Sequence, residues 1–335
     1  MRKIALLGGA GILAMGFGSG QVQAQQSLDA CAPNDGRCLS VLAYNVRMVE
    51  GGGREEKHEA RGEHIASTIR GLPDGGPDVL VLSEAFHNRA YAAMRDRLFE
   101  GRYMDSAGPP NRWQLRNGGV RVVSKWPIVR SGTEVFRNNH DFQKIRPVRV
   151  HAKGVVYVEI EKRGTPYHIF GTHMQHACGR KHNIGMDHPR IRRRQIEDLI
   201  EYIEQQSIPD GEPIIVAGDM NAEPDGSPTS CSFEYLMSQL GPGFDEMEHT
   251  RSTVVGGRSI IDHVPYKNMN LDPRRSYTAT VAFTTSMELP SRFNGGGLTY
   301  LSDHHPLLSV FQRRIPLWSV PRPEIWWENL DVLQD

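Results

Sequence analysis

EPIIVAGDMN, residues 212–221, is a short apolar run that stops on polar residues. Pro213 on one side and Asn221 on the other bound it, so it reads as a buried strand. Asp219 and Asn221 stand two apart, and on extended backbone such residues project to the same side. The same pattern recurs along the chain. LSVLAYNV (39–46) runs into Asn45, PDVLVLSEAF (77–86) into Glu84, and PYHIFGTHMQ (166–175) into His173. SIIDHVPY (259–266) carries Asp262, and LSDHHP (301–306) sets Asp303 and His304 against the strand HPLLSVFQ (305–312). One acid or amide after a strand is ordinary turn chemistry. Six apolar runs that all finish this way predict a polar rim along one end of a packed sheet structure.

Two further runs, GGVRVVSKWPI (118–128) and KGVVYVEI (153–160), complete the predicted strands. Helices are expected at EEKHEARGEHIASTIRGL (55–72), where Ile65 and Ile69 are four apart, and at PRIRRRQIEDLIEYIEQQ (189–206). In the second, Ile196, Leu199, Ile200 and Ile203 share one stripe, Pro189 suits the first turn, and RIRRR reads as a solvated face. Strands with irregularly placed helices predict a layered α/β sandwich rather than a doubly wound sheet. No repeat or linker divides the chain.

The polar set suits phosphodiester hydrolysis. An anionic phosphate needs a cation to offset charge on its oxygens and on the leaving oxygen. Mg²⁺ takes hard oxygen ligands, and Glu84 with Asn45 nearby would supply them. A histidine held by a carboxylate is the usual base for a water. His304 has two candidate orienters, Asp262 and Asp303. Asp219 and Asn221 could hold water and phosphate, and His173 could meet the phosphoryl oxygens or the leaving group. His305 reads as structural. His182 and His188 lack a third ligand at a defined spacing, so they mark no zinc site.

The chain carries 39 Lys and Arg against 39 Asp and Glu, and this balance argues against nucleic acid as substrate. Its start has the order of a secretory signal peptide: Arg2 and Lys3, an apolar stretch from Ile4 to Phe17, then Ala24 before a cut. Residues 25–335 are expected to form one catalytic domain. In an exported chain, Cys31, Cys38, Cys178 and Cys231 suggest two disulfides, the first two closing a small loop and the other two pairing.

GDMN, SDHHP, GTHMQ and SEAF after PDVLVL resemble the endonuclease/exonuclease/phosphatase superfamily. NGGVRVVSKWPI, AKGVVYVEI, the Cys five residues after the GTH histidine, and RRRQIEDLIEYIEQQSIP resemble, within it, the bacterial neutral sphingomyelinases (sphingomyelinase C). The resemblance runs from about Val41 to Phe311. It implies a deoxyribonuclease-like four-layer α/β/β/α sandwich and Mg²⁺-dependent cleavage of sphingomyelin to ceramide and phosphocholine at a membrane surface. It implies a metal-binding Glu84 with Asn45 beside it and Asp303 near the metal. It makes His304 the general base with Asp262 as orienter, gives Asp219 and Asn221 water and phosphate, and puts His173 near the leaving group. Neighbours on a strand point to opposite sides, which also favours Asp262 over Asp303. The alternatives are a phospholipase C acting on another phospholipid and a secreted nuclease. Family members carry an aromatic hairpin before the SDH segment. Here TTSMELPSRFNGGGLTYL (284–301) offers only Phe293 and Tyr300, so Trp318, Trp326 and Trp327 are either side chains packed on the sandwich to close its edge or, by residue type, the interface candidates.

Overall fold

The apolar runs become strands that are covered on both faces, which is why they read as nearly continuous hydrophobic stretches. The computed structural model describes residues 35–49, 56–108, 117–137, 152–176, 188–224 and 233–314. In chain order its elements begin with β1 (Cys38–Met48), α1 (His58–Arg70), β2 (Val79–Ala85), α2 (Asn88–Phe99), β3 (Asp105–Ala107), β4 (Arg121–Ser124) and β5 (Ile128–Val135). They continue with β6 (Gly154–Lys162), β7 (Thr165–His173), α3 (His188–Gln205), β8 (Ile214–Asp219), α4 (Phe233–Leu240), β9 (Phe244–Asp245), β10 (Asp262–His263) and β11 (Tyr266–Lys267). The last are β12 (Tyr277–Thr280), β13 (Thr284–Thr285), β14 (Asn294–Gly295), β15 (Leu298–Tyr300) and β16 (Leu307–Gln312).

One sheet has the order β12-β16-β1-β2-β4-β3. The other runs β5-β6-β7-β8-β11-β9, with β10 also paired to β8. Alternation along β1 shows how they stack. Leu39, Val41 and Ala43 enter a core shared with Val156, Val158, Ile169, Ile215 and Ala217 of the second sheet. Leu42, Tyr44 and Val46 face the other way, onto Ile65 and Ile69 of α1 and Met94 and Leu98 of α2. On the far side, Val155, Tyr157, Phe170 and Val216 meet Ile196 and Leu199 of α3 and Leu236 and Leu240 of α4. Three cores between four layers make an α/β/β/α sandwich. The sheets approach closely at Gly171, where a Cβ would sit 2.9 Å from Val81 Cγ1 and 3.1 Å from Val122 Cγ2.

The expected 118–128 strand is two strands, β4 and β5, separated around Pro127. The 259–266 run is likewise broken into β10 and β11 around Pro265, because proline has no N–H for the ladder. The basic run before the second helical stripe is not one solvated face. Helical phase divides it, exposing Arg190, Arg193 and Arg194 and burying Arg192 to 1% exposure. Cys38 is disulfide-bonded. Cys31, Cys178 and Cys231, and with them both expected pairings, lie outside the described residues, as do the leader 1–24 and Trp318, Trp326 and Trp327. No helix among the described residues is long and apolar enough to cross a membrane.

Candidate active site

Strand pairing gathers the rim. β1 and β2 run parallel with Asn45 opposite Ser83, and β7 and β8 run parallel with His173 opposite Asp219. β10 pairs antiparallel to β8 with Asp262 opposite Asp219. β16 is antiparallel to β1, with Leu307 opposite Ala43, so the segment just before it, carrying Asp303 and His304, reaches the same end. The backbone is unusual here. Glu84, Asn221 and Arg47 have φ of 55°, 50° and 45°, and a non-glycine residue at positive φ is uncommon and strained. A bulge in the β1–β2 ladder between Asn45 and Met48 turns the strand end. Gly218 adopts φ 138° against β7, where a Cβ would lie 2.0 Å from the Thr172 carbonyl oxygen, so the first letter of GDMN must be glycine.

Asp219 is the centre of the arrangement. Its carboxylate accepts from Asn45 Nδ2 and from the Asn221 backbone N–H, both at 2.9 Å. His173 Nε2 stands 3.6 Å away and His304 Nε2 4.0 Å away. The other ring nitrogen of His304, Nδ1, is 2.8 Å from Asp262 Oδ2. Two groups of ligand-type atoms therefore share Asp219: Glu84, His173 and Asp219, and Asp219, Asp262 and His304, each within 4.8 Å. Asp303 lies in neither group. Its carboxylate takes a hydrogen bond from Arg47 Nη1 at 2.9 Å. Asn221 Nδ2 donates to the Met174 carbonyl at 3.2 Å, and Asn45 Oδ1 accepts from the Arg47 amide at 3.0 Å. Of the pair considered as orienters of His304, Asp262 is the one in contact.

Burial alone would depress the His304 imidazole; Asp262, by charge and hydrogen bond, and then Asp219 and Asp303 overcome this and push it up to about 10. Burial beside Asp262 raises Asp219 to about 6, against the pull of His304, Asn45 and Lys153. A raised folded-state value means the folded protein holds that proton more tightly. For His304 the resulting stability is complete below its ordinary 6.5 and is lost as pH climbs towards about 10. For Asp219 the sign is the same, between 3.8 and about 6. Metal-free protein is therefore expected to lose several degrees of Tm between about pH 6.5 and pH 10, a loss that linkage bounds at roughly 5 kcal/mol. His304→Gln should flatten that slope. An equally steep decline in the variant would assign it to other groups.

Three cations balance the rim that sequence reading did not single out. Lys153 Nζ donates to the Met174 carbonyl at 2.7 Å. Burial lowers its ammonium to about 8, opposed by the charges of Asp219 and Glu84. Arg192 donates to the carbonyls of Asn221 and Gln175, and so holds the GDMN turn from beneath. The signal for both was a charge at a position that strand or helix phase places inside. Arg61, fully buried on α1, ties the site from the helix layer. It donates to the carbonyls of Val46 (2.9 Å), Arg47 (2.6 Å), Glu56 (2.7 Å) and Leu301 (2.6 Å), and lies 4.8 Å over the Phe293 ring. Arg61→Met would leave these carbonyls without their donor. A loss of about 3–5 kcal/mol in urea unfolding is expected, and a change below about 1 kcal/mol would show that the clamp is dispensable. Thr253 joins the last pieces: its Oγ1 accepts from the Asp262 amide at 3.3 Å, and its carbonyl accepts from the His305 amide at 2.7 Å.

Comparison with known proteins identifies the family and the fold. The profile of the Endonuclease/Exonuclease/phosphatase family matches residues 42–304. A Sphingomyelinase C of Bacillus cereus is 26% identical over an alignment that covers 67% of this chain and 69% of that protein. The crystal structure of Sphingomyelinase C from Streptomyces griseocarneus superposes with a TM-score of 0.64 at 23% identity, covering 82% of this chain and 99% of that one. A doubly substituted beta toxin from Staphylococcus aureus with bound magnesium ions does so with a TM-score of 0.63 at 21% identity, covering 82% of this chain and 99% of that one. The chain belongs to the endonuclease/exonuclease/phosphatase family and is a metal-dependent phosphodiesterase.

Proposed function

We propose that this member of the endonuclease/exonuclease/phosphatase family is a secreted sphingomyelinase C, hydrolysing sphingomyelin to ceramide and phosphocholine. The observation that carries the reading is the carboxylate-held His304, set with His173 around Asp219, in a chain whose matched relative is a sphingomyelinase. Residues 1–24 are removed on export, and residues 25–335 act as one catalytic domain.

The rim fits a hard divalent cation. Glu84 and Asp219 bring carboxylate oxygens within 4.8 Å of each other, and the Asn45 amide touches Asp219. Glu84, with Asn45 beside it and Asp303 nearby, would hold Mg²⁺. Bound there, the cation would offset charge on the phosphoryl and leaving oxygens. With the carboxylate charges that raise His304 offset by a bound cation, its neutral imidazole would take the proton of the attacking water through Nε2, while Asp262 at Nδ1 fixes the tautomer and steadies the imidazolium. Asp219 and Asn221 position water and phosphate. His173 donates to a phosphoryl oxygen or to the leaving alkoxide. Lys153 and Arg192 keep this acidic cluster compact before any cation arrives.

Access to lipid does not fall to the aromatics of the 284–301 stretch. Phe293 is buried beneath Arg61, and Tyr300 packs edge-on against His305 with centroids 4.7 Å apart. Phe293 therefore faces inward and Tyr300 is half-buried, while Leu298, 51% exposed on β15, is the outward apolar residue of the stretch. We assign vesicle adsorption to Trp326 and Trp327, with Leu298 as the next position.

The test is phosphocholine release from sphingomyelin vesicles, run beside phosphatidylcholine vesicles and plasmid DNA with Mg²⁺ and with EDTA. Sphingomyelin turnover that EDTA abolishes is expected. Preference for phosphatidylcholine would make the enzyme a broader phospholipase C, and DNA cleavage would make it a nuclease.

A further inference from the structure

Beside the GDMN turn, and sharing no residue with the two rim groups, Glu246, His249 and His263 bring three ligand-type atoms within 4.8 Å of one another. None of them takes part in the chemistry described above. Each residue is placed by a specific contact. Glu246 Oε1 accepts from the Val264 amide at 2.6 Å, which leaves Oε2 to face His263 Nδ1 at 3.1 Å. His263 is fully buried, stacks on Phe233 at 3.9 Å between centroids, and spends its Nε2 hydrogen on the Ala222 carbonyl at 2.8 Å. With that hydrogen on Nε2, a neutral His263 presents a lone pair at Nδ1 to a carboxylate oxygen. Two acceptors at that distance need a positive charge between them.

A proton on Nδ1 would satisfy those two atoms alone. It would not account for His249, which brings a ring nitrogen to the same place. The His249 Nδ1 is buried and has no hydrogen-bond partner among the described residues. The two imidazole rings are tilted rather than stacked, with centroids 5.9 Å apart at 59°. A single cation answers all three groups. Two imidazoles and one carboxylate suit Zn²⁺ far better than Mg²⁺, which prefers oxygen donors and water. Zinc with bonds of about 2.0–2.1 Å sets neighbouring ligand atoms roughly 3.3 Å apart, close to the Glu246–His263 separation. His249, half-buried and outside any helix or strand, has to draw in by no more than about 1.5 Å to complete the set. The hydrogen bond from His263 Nε2 to a backbone carbonyl is the outer-shell contact that fixes a metal-binding imidazole.

We propose that Glu246, His249 and His263 form a zinc site, with a fourth position open to water, separate from the Mg²⁺ rim. Its place gives it a task. His263 follows Asp262, the residue that holds His304, and Ala222 follows Asn221. A zinc ion here braces the two backbone segments that carry those side chains, without touching substrate.

The test uses the full chain, stripped with EDTA and dialysed against micromolar Zn²⁺ in the presence of millimolar Mg²⁺, with bound zinc measured per chain. Wild type and Glu84→Gln should each hold one zinc, while His249→Ala and Glu246→Gln should bind at least tenfold more weakly. No zinc on the wild type, zinc retained by both His249→Ala and Glu246→Gln, or zinc lost from Glu84→Gln would each overturn the proposal; the last would place the ion at the rim. Far-UV circular dichroism checks folding. Should the variants fail to fold, Co²⁺ in the wild type decides. An intense visible band of four-coordinate cobalt is expected, and only the weak band of six-coordinate cobalt would reject the site.

Discussion

His304→Ala is expected to lower turnover at least a hundredfold in a protein that still folds. A positioned base contributes roughly 10²–10⁴ in rate, and no other imidazole among the described residues is held by Asp262. The ring is 11% exposed at the rim, so its removal opens no deep cavity. Asp262 then loses its partner, and its other oxygen, Oδ1, is already buried with no hydrogen bond among the described residues. Burying two uncompensated oxygens costs stability, so the variant should melt lower and yet remain folded. Asp262→Asn provides the matching control: it keeps the shape but removes the charge that steadies the imidazolium, and should lose activity by a smaller factor. His305→Ala should cost little, since that ring packs on Tyr300. Near-normal turnover in a folded His304→Ala would remove His304 from the mechanism.

The strands and the rim were legible because they rest on local rules. Apolar runs that stop on Asn, Glu, Asp or His revealed Asn45, Glu84, His173, Asp219, Asp262 and His304, and pairing, parallel in β1–β2 and β7–β8 and antiparallel in β10–β8 and β16–β1, then needs only adjacent strands to bring them together. What stayed hidden depends on contacts distant in sequence. Arg61 bonds to a carbonyl 240 residues away, and nothing about EARGEH distinguishes it from a solvated helix arginine. Arg192 was masked by its basic neighbours until helical phase separated them. The helix Asn88–Phe99 escaped because Arg and Ala dilute its apolar stripe, leaving Tyr91, Met94 and Leu98 as a weak signal. β12 to β15 are too short to carry a period. His263 was overshadowed by Asp262 beside it, yet alternation sends these two side chains to opposite sides, one to the rim and one to Glu246.

Glu84→Gln is the second large effect, and its signature is in metal dependence rather than in folding. Glu84 sits at φ 55° at the end of β2. Glutamine has the same length and branching, so the strained backbone is no harder to hold than before. The charge is what changes. A hard cation loses its carboxylate and keeps only an amide, a weaker ligand for Mg²⁺. Loss of an outer-shell partner typically costs 10–100-fold in metal affinity, so loss of a direct carboxylate should raise the Mg²⁺ needed for half-maximal activity by about 100-fold or more. Thermal melts give an independent reading. A ligand bound only by the folded state stabilises it in proportion to the logarithm of its concentration over Kd. Added Mg²⁺ should therefore raise Tm in the wild type and leave the variant nearly unmoved. Without metal the two should melt close together, because removing Glu84 relieves its repulsion with Asp219 while it withdraws one of the two carboxylates that offset Lys153. An unchanged Mg²⁺ titration, in activity and in Tm alike, would mean that the cation is held by Asp219 and its neighbours without Glu84.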